Sequence, residues 1–329
     1  MLYLENDSVD PHYNLALEQY VFDILALGHS FFMLWRNRNA IIVGKHQNTV
    51  AEINADFVKK NNIHVVRRLS GGGAVYHDLG NVNFTFITQA GVPGAFDFAS
   101  FCRPVLRALA ELGVEADING RNDMTIDGRK FSGNAQYYRG GRVLHHGTIL
   151  YDSNLSIVGE ALVIPKDKIE SKGLTSIRSR VTNVKAYMLE KIPVERFMAI
   201  LQDSMLREFR MEKYSLTPKD IAAVQKLRKE VYDTWEWNYG ASPVYSITRE
   251  RRVDDVGKIS VYMNIKQGVI GDIAFFGDYF GNADAAPLAL ALTGCRRERG
   301  ALSRALENIN VGSYFHNLDQ ETFLDILAQ

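Results

Sequence analysis

The sequence predicts an α+β protein, with a large mixed-sheet domain followed by a small α/β domain. Short β-rich runs and helical patterns follow one another up to about residue 240, without the regular alternation of a doubly wound fold. The composition then shifts at Tyr239-Gly240-Ala241-Ser242-Pro243, which we interpret as a linker. The predicted domains are therefore residues 1–243 and 247–329.

The composition narrows the class of protein. The chain has 329 residues, of which 46% are hydrophobic and 23% charged, as is typical of a globular protein with a sizeable core. Lys+Arg and Asp+Glu balance at 38 each, which disfavours a general nucleic-acid or membrane-surface binder. The two cysteines, Cys102 and Cys295, have neither disulfide-framework nor metal spacing. With no signal peptide or membrane-length apolar run, we expect a cytoplasmic protein with no membrane or nucleic-acid partner.

Periodicity predicts the elements of the first domain in order. Apolar residues at helical spacing indicate helices, and β-branched or alternating runs indicate strands, as where Val82, Phe84 and Phe86 share one face. Asp127-Gly128 is a strong signal for a hairpin. The predicted helices are residues 14–25, 55–61, 96–112, 194–209 and 218–235, and the predicted strands are residues 31–36, 40–44, 63–67, 82–88, 124–126, 129–131 and 142–151.

The second domain shows the same two patterns over a shorter length. Lys266-Gln267-Gly268 reads as a turn between two strands. The predicted strands are residues 246–251, 258–265 and 269–276, and the predicted helices are residues 285–292, 301–309 and 320–327.

The most informative segment is residues 67–81, with the sequence RRLSGGGAVYHDLGN. Three consecutive glycines cost backbone entropy, so we expect something to lie directly against the main chain. The preceding arginines indicate that it is an anion such as a phosphate. The segment is neither a Walker A loop nor a GxGxxG motif, since Tyr76 occupies the third glycine position. A tight turn between strands is the alternative, which the arginines and His77-Asp78 disfavour.

A second segment, residues 121–136, contains Lys130 just after the predicted hairpin turn. A lysine on a rigid strand is a compact charge that can bridge a substrate carboxylate and the α-phosphate of a nucleotide. An exposed hairpin lysine is the alternative interpretation. Asn122 and Asp123 lie one strand upstream and could face the same site, where Asp123 could hold Mg²⁺ together with phosphate oxygens.

Two further segments carry weaker signals. His145 and His146 lie next to each other on a strand, so their side chains point to opposite faces and only one is expected to be buried or to face a ligand. A zinc site with His77 lacks the usual helical histidine pair or a cysteine partner. Residues 166–183 are rich in basic side chains, which fits either a solvated loop or a mobile flap over an anionic intermediate.

Taken together, these segments resemble the lipoate–protein ligase A family. The resemblance extends in order over nearly the whole chain, and is carried by Arg67–Asn81, by Asn122-Asp123 with Lys130-x-Ser-Gly-x-Ala-Gln, by His145-His146-Gly147, by Thr175–Asn183 and by Trp235–Gly240. It implies a catalytic fold shared with biotin–protein ligases and related to class II aminoacyl-tRNA synthetases, followed by a C-terminal accessory domain. It also implies that lipoate attacks the α-phosphate of MgATP, and that the lipoyl group then passes to a lysine of an apo lipoyl domain. The acceptors it implies are 2-oxoacid dehydrogenase E2 subunits or the glycine cleavage H protein.

The resemblance also assigns roles to residues of this chain. Lys130 matches the family's essential lysine, which contacts both the carboxylate and the α-phosphate. The positions matched to ATP or adenylate contacts are Arg68, Gly73, Ala74, Val75, Tyr76, Asn122, Asp123, Lys130 and Arg178, with Asp123 also a candidate Mg²⁺ ligand. Those matched to lipoate binding are Arg67, Ser70, Gly71, Gly72, His77 and Lys130.

Two other functions remain open at this point. An octanoyl or lipoyl transferase of the same superfamily would use no ATP and would carry the acyl group on a cysteine. Cys102 lies in an apolar helical pattern, which suits an inert thiol, and Cys295 lies in the second domain. A non-catalytic lipoate-binding protein would be expected to have lost the lysine or the glycine segment, and both are present. A biotin ligase is disfavoured because its Gly-Arg-Gly-Arg stretch is missing.

Overall fold

The computed structural model describes residues 1–90, 96–120, 122–163, 180–240, 247–281 and 283–328. Within them the strands are β1 (Leu2–Leu4), β2 (Phe31–Trp35), β3 (Ala40–Val43), β4 (His64–Arg67), β5 (Val75–His77), β6 (Asn81–Gln89), β7 (Asp117–Asn119), β8 (Asp123–Ile126), β9 (Arg129–Arg139), β10 (Arg142–Leu150), β11 (Glu212–Tyr214), β12 (Ile247–Val253), β13 (Gly257–Lys266) and β14 (Val269–Gly277). The α-helices are α1 (Pro11–Asp23), α2 (Thr49–Glu52), α3 (Ala55–Lys60), α4 (Ala99–Glu111), α5 (Leu155–Ala161), α6 (Val194–Phe209), α7 (Pro218–Leu227), α8 (Trp235–Asn238), α9 (Ala286–Leu292), α10 (Arg299–Ala305) and α11 (Gln320–Ala328).

A mixed eight-stranded sheet forms the centre of the first domain, in the order β11-β1-β2-β6-β10-β9-β8-β7. Strand β1 runs parallel to both of its neighbours, and the remaining pairs are antiparallel. Helices α4 and α6 pack on one face, while α1 packs on the other. Because both faces are covered, every residue of β2 is buried, as its unbroken apolar sequence predicts.

A smaller sheet of β4, β3 and β5 packs near α1 on the second face. It carries the glycine segment, which connects β4 to β5. The chain beyond residue 246 forms an antiparallel sheet of β12, β13 and β14, which shares its own core with helices α9, α10 and α11. The α+β class predicted from the sequence is thus confirmed.

Several element bounds differ from the predictions, and three of the differences have a local cause. The helix predicted from residue 96 begins at Ala99, because the Asp97 carboxylate accepts hydrogen bonds from the amide and hydroxyl of Ser100. The strand predicted as residues 129–131 continues to Arg139, because Gly140 and Gly141, both at positive φ, turn it directly into β10. The helix predicted as residues 218–235 ends at Leu227 and gives way to a wider turn over Arg228–Tyr232.

No helix of the described ranges is both long enough and apolar enough to cross a bilayer.

We predict that Gly147→Ala lowers the free energy of unfolding by about 1–3 kcal/mol, measured by urea denaturation. Gly147 lies in the middle of β10, and a Cβ there would come within 2.1 Å of Asn134 Oδ1 and 2.4 Å of the Phe84 ring. Gly159→Ala is the matched control, because nothing lies within 4 Å of its Cβ position on α5 and alanine favours a helix there. Equal effects of the two substitutions would contradict this packing.

Candidate active site

One face of the large sheet, the small sheet and the glycine segment enclose a cavity of about 340 Å³. Its wall combines apolar groups, amides and charged groups contributed by both sheets, by α1 and, at Asp278, by the chain just after β14. The lining residues are Leu15, Trp35, Ile42, Arg68, Gly72, Gly73, Ala74, Val75, His77, Asn83, Asn122, Asp123, Lys130, Gly133, Asn134, Ala135, His146, Gly147, Thr148 and Asp278.

The floor of this cavity is a row of side chains that crosses five strands. Trp35 pairs with Asn83, and Asn83 pairs with Thr148. The Gly133 amide donates to the Thr148 hydroxyl, and Gly133 pairs with Asp123. Neighbouring strands lie about 4.8 Å apart, so the floor runs roughly 19 Å from an indole to a carboxylate. The cavity therefore has an aromatic end and a charged end.

Lys130 occupies the charged end because β9 contains a bulge. Met124 pairs with Ser132 and Thr125 with Lys130, so Phe131 has no opposite residue. This extra residue brings the Lys130 side chain onto the face that carries Asp123, and Lys130 Nζ lies 2.6 Å from Asp123 Oδ1. Lys130 thus lines the cavity beside a carboxylate, an arrangement that an ordinary exposed hairpin lysine does not require.

Two neighbouring features fix the position of Lys130. A Cβ at Gly133 would lie 3.0 Å from Lys130 Nζ, so this glycine leaves room for the amine. The Lys130 amide donates to the Arg180 carbonyl, and its carbonyl accepts from the Thr182 amide. The main chain of the lysine is thus tied to the last residues of the predicted flap, 166–183. Residues 166–179 of that flap, including Arg178, lie outside the described residues.

The glycine segment is packed closely against protein backbone. A Cβ on Gly71 would lie 2.4 Å from the Tyr279 carbonyl oxygen, and Gly72 has a φ of +91°. Gly44 faces it from the end of β3, where a Cβ would come within 2.0 Å of the Gly72 carbonyl oxygen. Only Gly73 faces open space, with nothing within 4 Å of its Cβ position. The expectation that a ligand explains the glycines thus fits Gly73, whereas Gly71 and Gly72 are required by the protein itself.

Arg68 holds this segment from beneath. Its guanidinium is buried and donates to the Ser70 hydroxyl and to the carbonyls of Ile42, Gly71 and Gly73. Burial lowers the pKa of Arg68 to about 10, which leaves the group charged at neutral pH. Arg68 therefore brings a positive charge to the cavity wall and fixes the glycine backbone at the same time.

Arg67 has a different position from the one that the resemblance implies. It donates to the carbonyls of Gly44, Lys45, Gln47 and Trp237, and it does not line the cavity. Its guanidinium joins the loop after β3 to α8.

The remaining predicted residues divide between the cavity and its support. Ala74, Val75, His77 and Asn122 line the cavity as expected, together with the lysine and its aspartate. Ser70, Gly71 and Tyr76 do not line it. The Tyr76 hydroxyl instead donates to Asn39 Oδ1 on the outer side of the small sheet.

A buried polar chain beneath the cavity was not predicted. The Glu18 carboxylate accepts hydrogen bonds from the Thr85 hydroxyl at 2.6 Å and from His146 Nδ1 at 3.0 Å. His146 Nε2 lies 2.6 Å from the Ser70 hydroxyl, and the Trp35 indole donates to Thr85. The sequence signal was a glutamate inside the apolar stripe of α1.

Both adjacent histidines are buried, which corrects the prediction that only one would be. His146 joins the polar chain just described. His145 lies on the other face of the sheet, stacked between the rings of Phe84 and Phe101. The prediction was wrong because α4 covers the face that it left to solvent. Among the described residues, no group of three His, Cys, Asp or Glu side chains lies close enough together to hold a metal ion.

Neither cysteine has the environment of a nucleophile. Cys102 is buried in α4, and burial raises the pKa of its thiol to about 12. Cys295 donates from its thiol to the Ala291 carbonyl and contacts the second core. A catalytic thiol is instead expected to have a lowered pKa.

Two family models match the chain. The lipoyl protein ligase A/B catalytic domain matches residues 10–206, and the bacterial lipoate protein ligase C-terminus matches residues 242–327. The chain is 43% identical to lipoate-protein ligase LplJ of Bacillus subtilis over 99% of its own length and 100% of that protein's. It is 38% identical to lipoate–protein ligase 1 of Staphylococcus aureus, with 100% of both chains covered.

Solved structures agree with this match. LipL1 of P. falciparum in complex with lipoate superposes with a TM-score of 0.79 at 25% identity, covering 99% of this chain and 98% of that one. A lipoate-protein ligase A bound with ATP superposes with a TM-score of 0.62 at 25% identity, covering 73% and 98%. A bi-partite ligase of Thermoplasma acidophilum, described with its E2 lipoyl domain, gives a TM-score of 0.63 at 26% identity, covering 75% and 98%.

We predict that the free energy of unfolding falls as the pH drops below about 7. Burial lowers the pKa of His46 to about 4 and of His77 to about 3, and it lowers that of His145 well below the ordinary 6.5. Below this pH the unfolded chain binds protons that the folded chain does not. Each histidine therefore lowers the free energy of unfolding by up to about 1.4 kcal/mol per pH unit.

Urea denaturation at pH 7, 6 and 5 measures this slope. His145→Phe removes one contribution and should flatten the slope by about one proton. The control His29→Gln changes an exposed histidine and should leave the slope as it is. An unchanged slope in His145→Phe would contradict the neutral, buried state of this side chain.

Proposed function

The chain belongs to the lipoate–protein ligase family, and on that premise we propose that its cavity forms lipoyl adenylate and passes the lipoyl group to a protein lysine. The observation that supports this most directly is the Lys130–Asp123 pair at one end of a long, otherwise largely uncharged floor. Such a floor suits a molecule with a carboxylate at one end and an apolar body.

In the proposed first step, lipoate lies along the floor with its carboxylate at Lys130. A carboxylate oxygen attacks the α-phosphorus of ATP, a new phosphorus–oxygen bond forms, and pyrophosphate leaves. The ammonium of Lys130 brings the two anions together and stabilises the charge that develops on the α-phosphate. The Lys130 ammonium leaves its ion pair with Asp123 and contacts these substrate oxygens instead. The step requires no enzyme nucleophile.

The nucleotide would lie against Gly73, where the main chain is open, with Arg68 supplying charge from below and Asn122 an amide from the side. Mg²⁺ suits a single carboxylate combined with phosphate oxygens and water, and Asp123 offers that carboxylate. When bound, the ion would neutralise phosphate charge. Arg178 is proposed as a further adenylate contact from the flap.

In the second step, the ε-amine of an acceptor lysine attacks the acyl carbon, the bond to the phosphate breaks, and AMP leaves as the amine loses a proton. We assign as acceptors the apo lipoyl domains of 2-oxoacid dehydrogenase E2 subunits or the glycine cleavage H protein. The Thermoplasma relative, described together with its E2 lipoyl domain, supports this class of acceptor. The proposal further takes residues 1–243 as the catalytic domain, residues 247–329 as the accessory domain, and the cytoplasm as the compartment.

The transferase alternative, which uses no ATP, requires a reactive cysteine. The buried Cys102 thiol, with its raised pKa, does not meet it, and Cys295 lies in the C-terminal module. A binding protein without activity would not need a lysine held 2.6 Å from a carboxylate at the end of the cavity.

The proposal is tested by the intact mass of an apo lipoyl domain after incubation with the protein, lipoate and MgATP. We expect a lipoyl-sized gain that requires ATP. No gain and no pyrophosphate release would contradict the ligase and favour a transferase, which takes its acyl group from an acylated carrier and not from free lipoate. Pyrophosphate release without a gain would support the activation step but contradict the choice of acceptor.

We predict that Lys130→Ala lowers pyrophosphate release with lipoate and MgATP by at least about 100-fold, because the charge on the α-phosphate loses its partner. The fold should persist, since about 39% of this side chain is exposed. Lys226→Ala, on the exposed side of α7, is the control and should behave as wild type. Wild-type rates in Lys130→Ala would remove this residue from the mechanism.

We predict that Cys102→Ser/Cys295→Ser retains ATP-dependent lipoylation within a few-fold of wild type, as measured by the same mass assay. Neither sulfur takes part in the proposed steps. A double variant with a wild-type melting curve but no transfer would revive the thioester mechanism.

A further inference from the structure

The aromatic end of the cavity contains two buried polar groups that the proposed steps leave unused. His77 and Asn83 line the cavity and are 3% and 2% exposed. Among the described residues, His77 Nε2 and Asn83 Nδ2 have no hydrogen-bond partner. A buried polar group without a partner is costly, so each of these calls for an explanation.

The hydrogen bonds around His77 identify Nε2 as a donor. Asn14 Nδ2 donates to the main-chain carbonyls of Ser8 and Arg36, which fixes the orientation of that amide. Its third contact, Asn37, must then present its oxygen to Asn14 and its Nδ2 to His77 Nδ1, at 3.1 Å. His77 Nδ1 is therefore an acceptor. Burial lowers the pKa of His77 to about 3, so the neutral ring carries its single proton on Nε2.

Both groups lie at the end of the floor farthest from Lys130. Asn83 pairs directly with Trp35, and the ring of His77 meets the indole edge-on at 6.3 Å. Leu15 and Ile42 contribute apolar side chains to the same lining. A water molecule here would find few polar partners besides these two donors. A bound substrate that offers no acceptor therefore leaves both donors without a hydrogen bond.

A saturated acyl chain offers no acceptor at this end. A five-membered disulfide ring at the same distance from the carboxylate brings two sulfur atoms, which are weak acceptors. We propose that His77 and Asn83 donate hydrogen bonds to the sulfur atoms of the dithiolane ring, and thereby make this site select lipoate over octanoate. This inference rests on the proposed function. It adds to that function the residues that distinguish its two nearest substrates.

The wild-type protein provides the first test, through pyrophosphate release with three acids. These are lipoate, octanoate and 5-cyclopentylpentanoate, which has the shape of lipoate without its sulfur. We expect kcat/KM for lipoate to exceed that for each of the other two by about tenfold or more. Equal values for lipoate and the cyclopentyl acid would overturn the inference, because ring shape alone would then explain the selection. Release with none of the three acids would instead contradict the proposed function.

Variants provide the second test, read as the lipoate-to-octanoate ratio of kcat/KM. His77→Phe and Asn83→Leu remove a donor each and should lower the ratio about five-fold or more, chiefly by raising the KM for lipoate. His77→Gln can place an amide N–H near the lost position and should recover most of the ratio. Ile42→Leu, which reshapes the same wall without touching a donor, should change both acids by the same factor. If His77→Phe and Asn83→Leu also change both acids equally, their role is only structural and the inference fails.

Discussion

The site depends on a buried cation that joins three parts of the fold. The Arg68 guanidinium donates to the main chain of the glycine segment and of β3, and to Ser70. Through Ser70 and His146 it is connected to Glu18 on α1. A buried charge is tolerated only where its hydrogen bonds are satisfied, and here satisfying them fixes the small sheet, the helix and the large sheet relative to one another. The cavity is the space that this network leaves between the two sheets.

The glycine segment has a second constraint, which comes from the C-terminal module. The Gly72 amide donates to the Tyr279 carbonyl, and the Gly277 amide donates to the His46 carbonyl from the opposite direction. The rings of His46 and Tyr279 stack 4.7 Å apart. The module also contributes Asp278 to the cavity wall. Substitutions at Gly71 or Gly72 therefore disturb the contact between the segment and the C-terminal module. At Gly73 there is free space beside the main chain.

Elements whose signals are local in sequence were predicted correctly. The Asp127-Gly128 turn, the run of β2 and the helix over α6 were predicted because their signals lie within a few adjacent residues. Prediction failed where the outcome depends on distant partners. Burial of His145 requires α4 above it, and the role of Glu18 requires strands β6 and β10 beneath it. The Gly140-Gly141 turn between β9 and β10 was not predicted, although its signal is local as well.

The sequence by itself determined the α+β class, the family and which functional groups the site contains. The glycine segment, the Asp127-Gly128 turn and Lys130 in its motif can each be recognised from a short stretch of adjacent residues. Only the tertiary structure decided which of those groups meet. The bulge at Phe131 brings Lys130 onto the face of Asp123. Strict alternation along β9 would place Lys130 on the opposite face, so the sequence pattern alone does not predict this pairing. Arg67 and Arg68 are neighbours in sequence, but strand alternation sends one to a supporting loop and the other to the cavity. The same residue types thus become support or site according to contacts that form only when the chain folds.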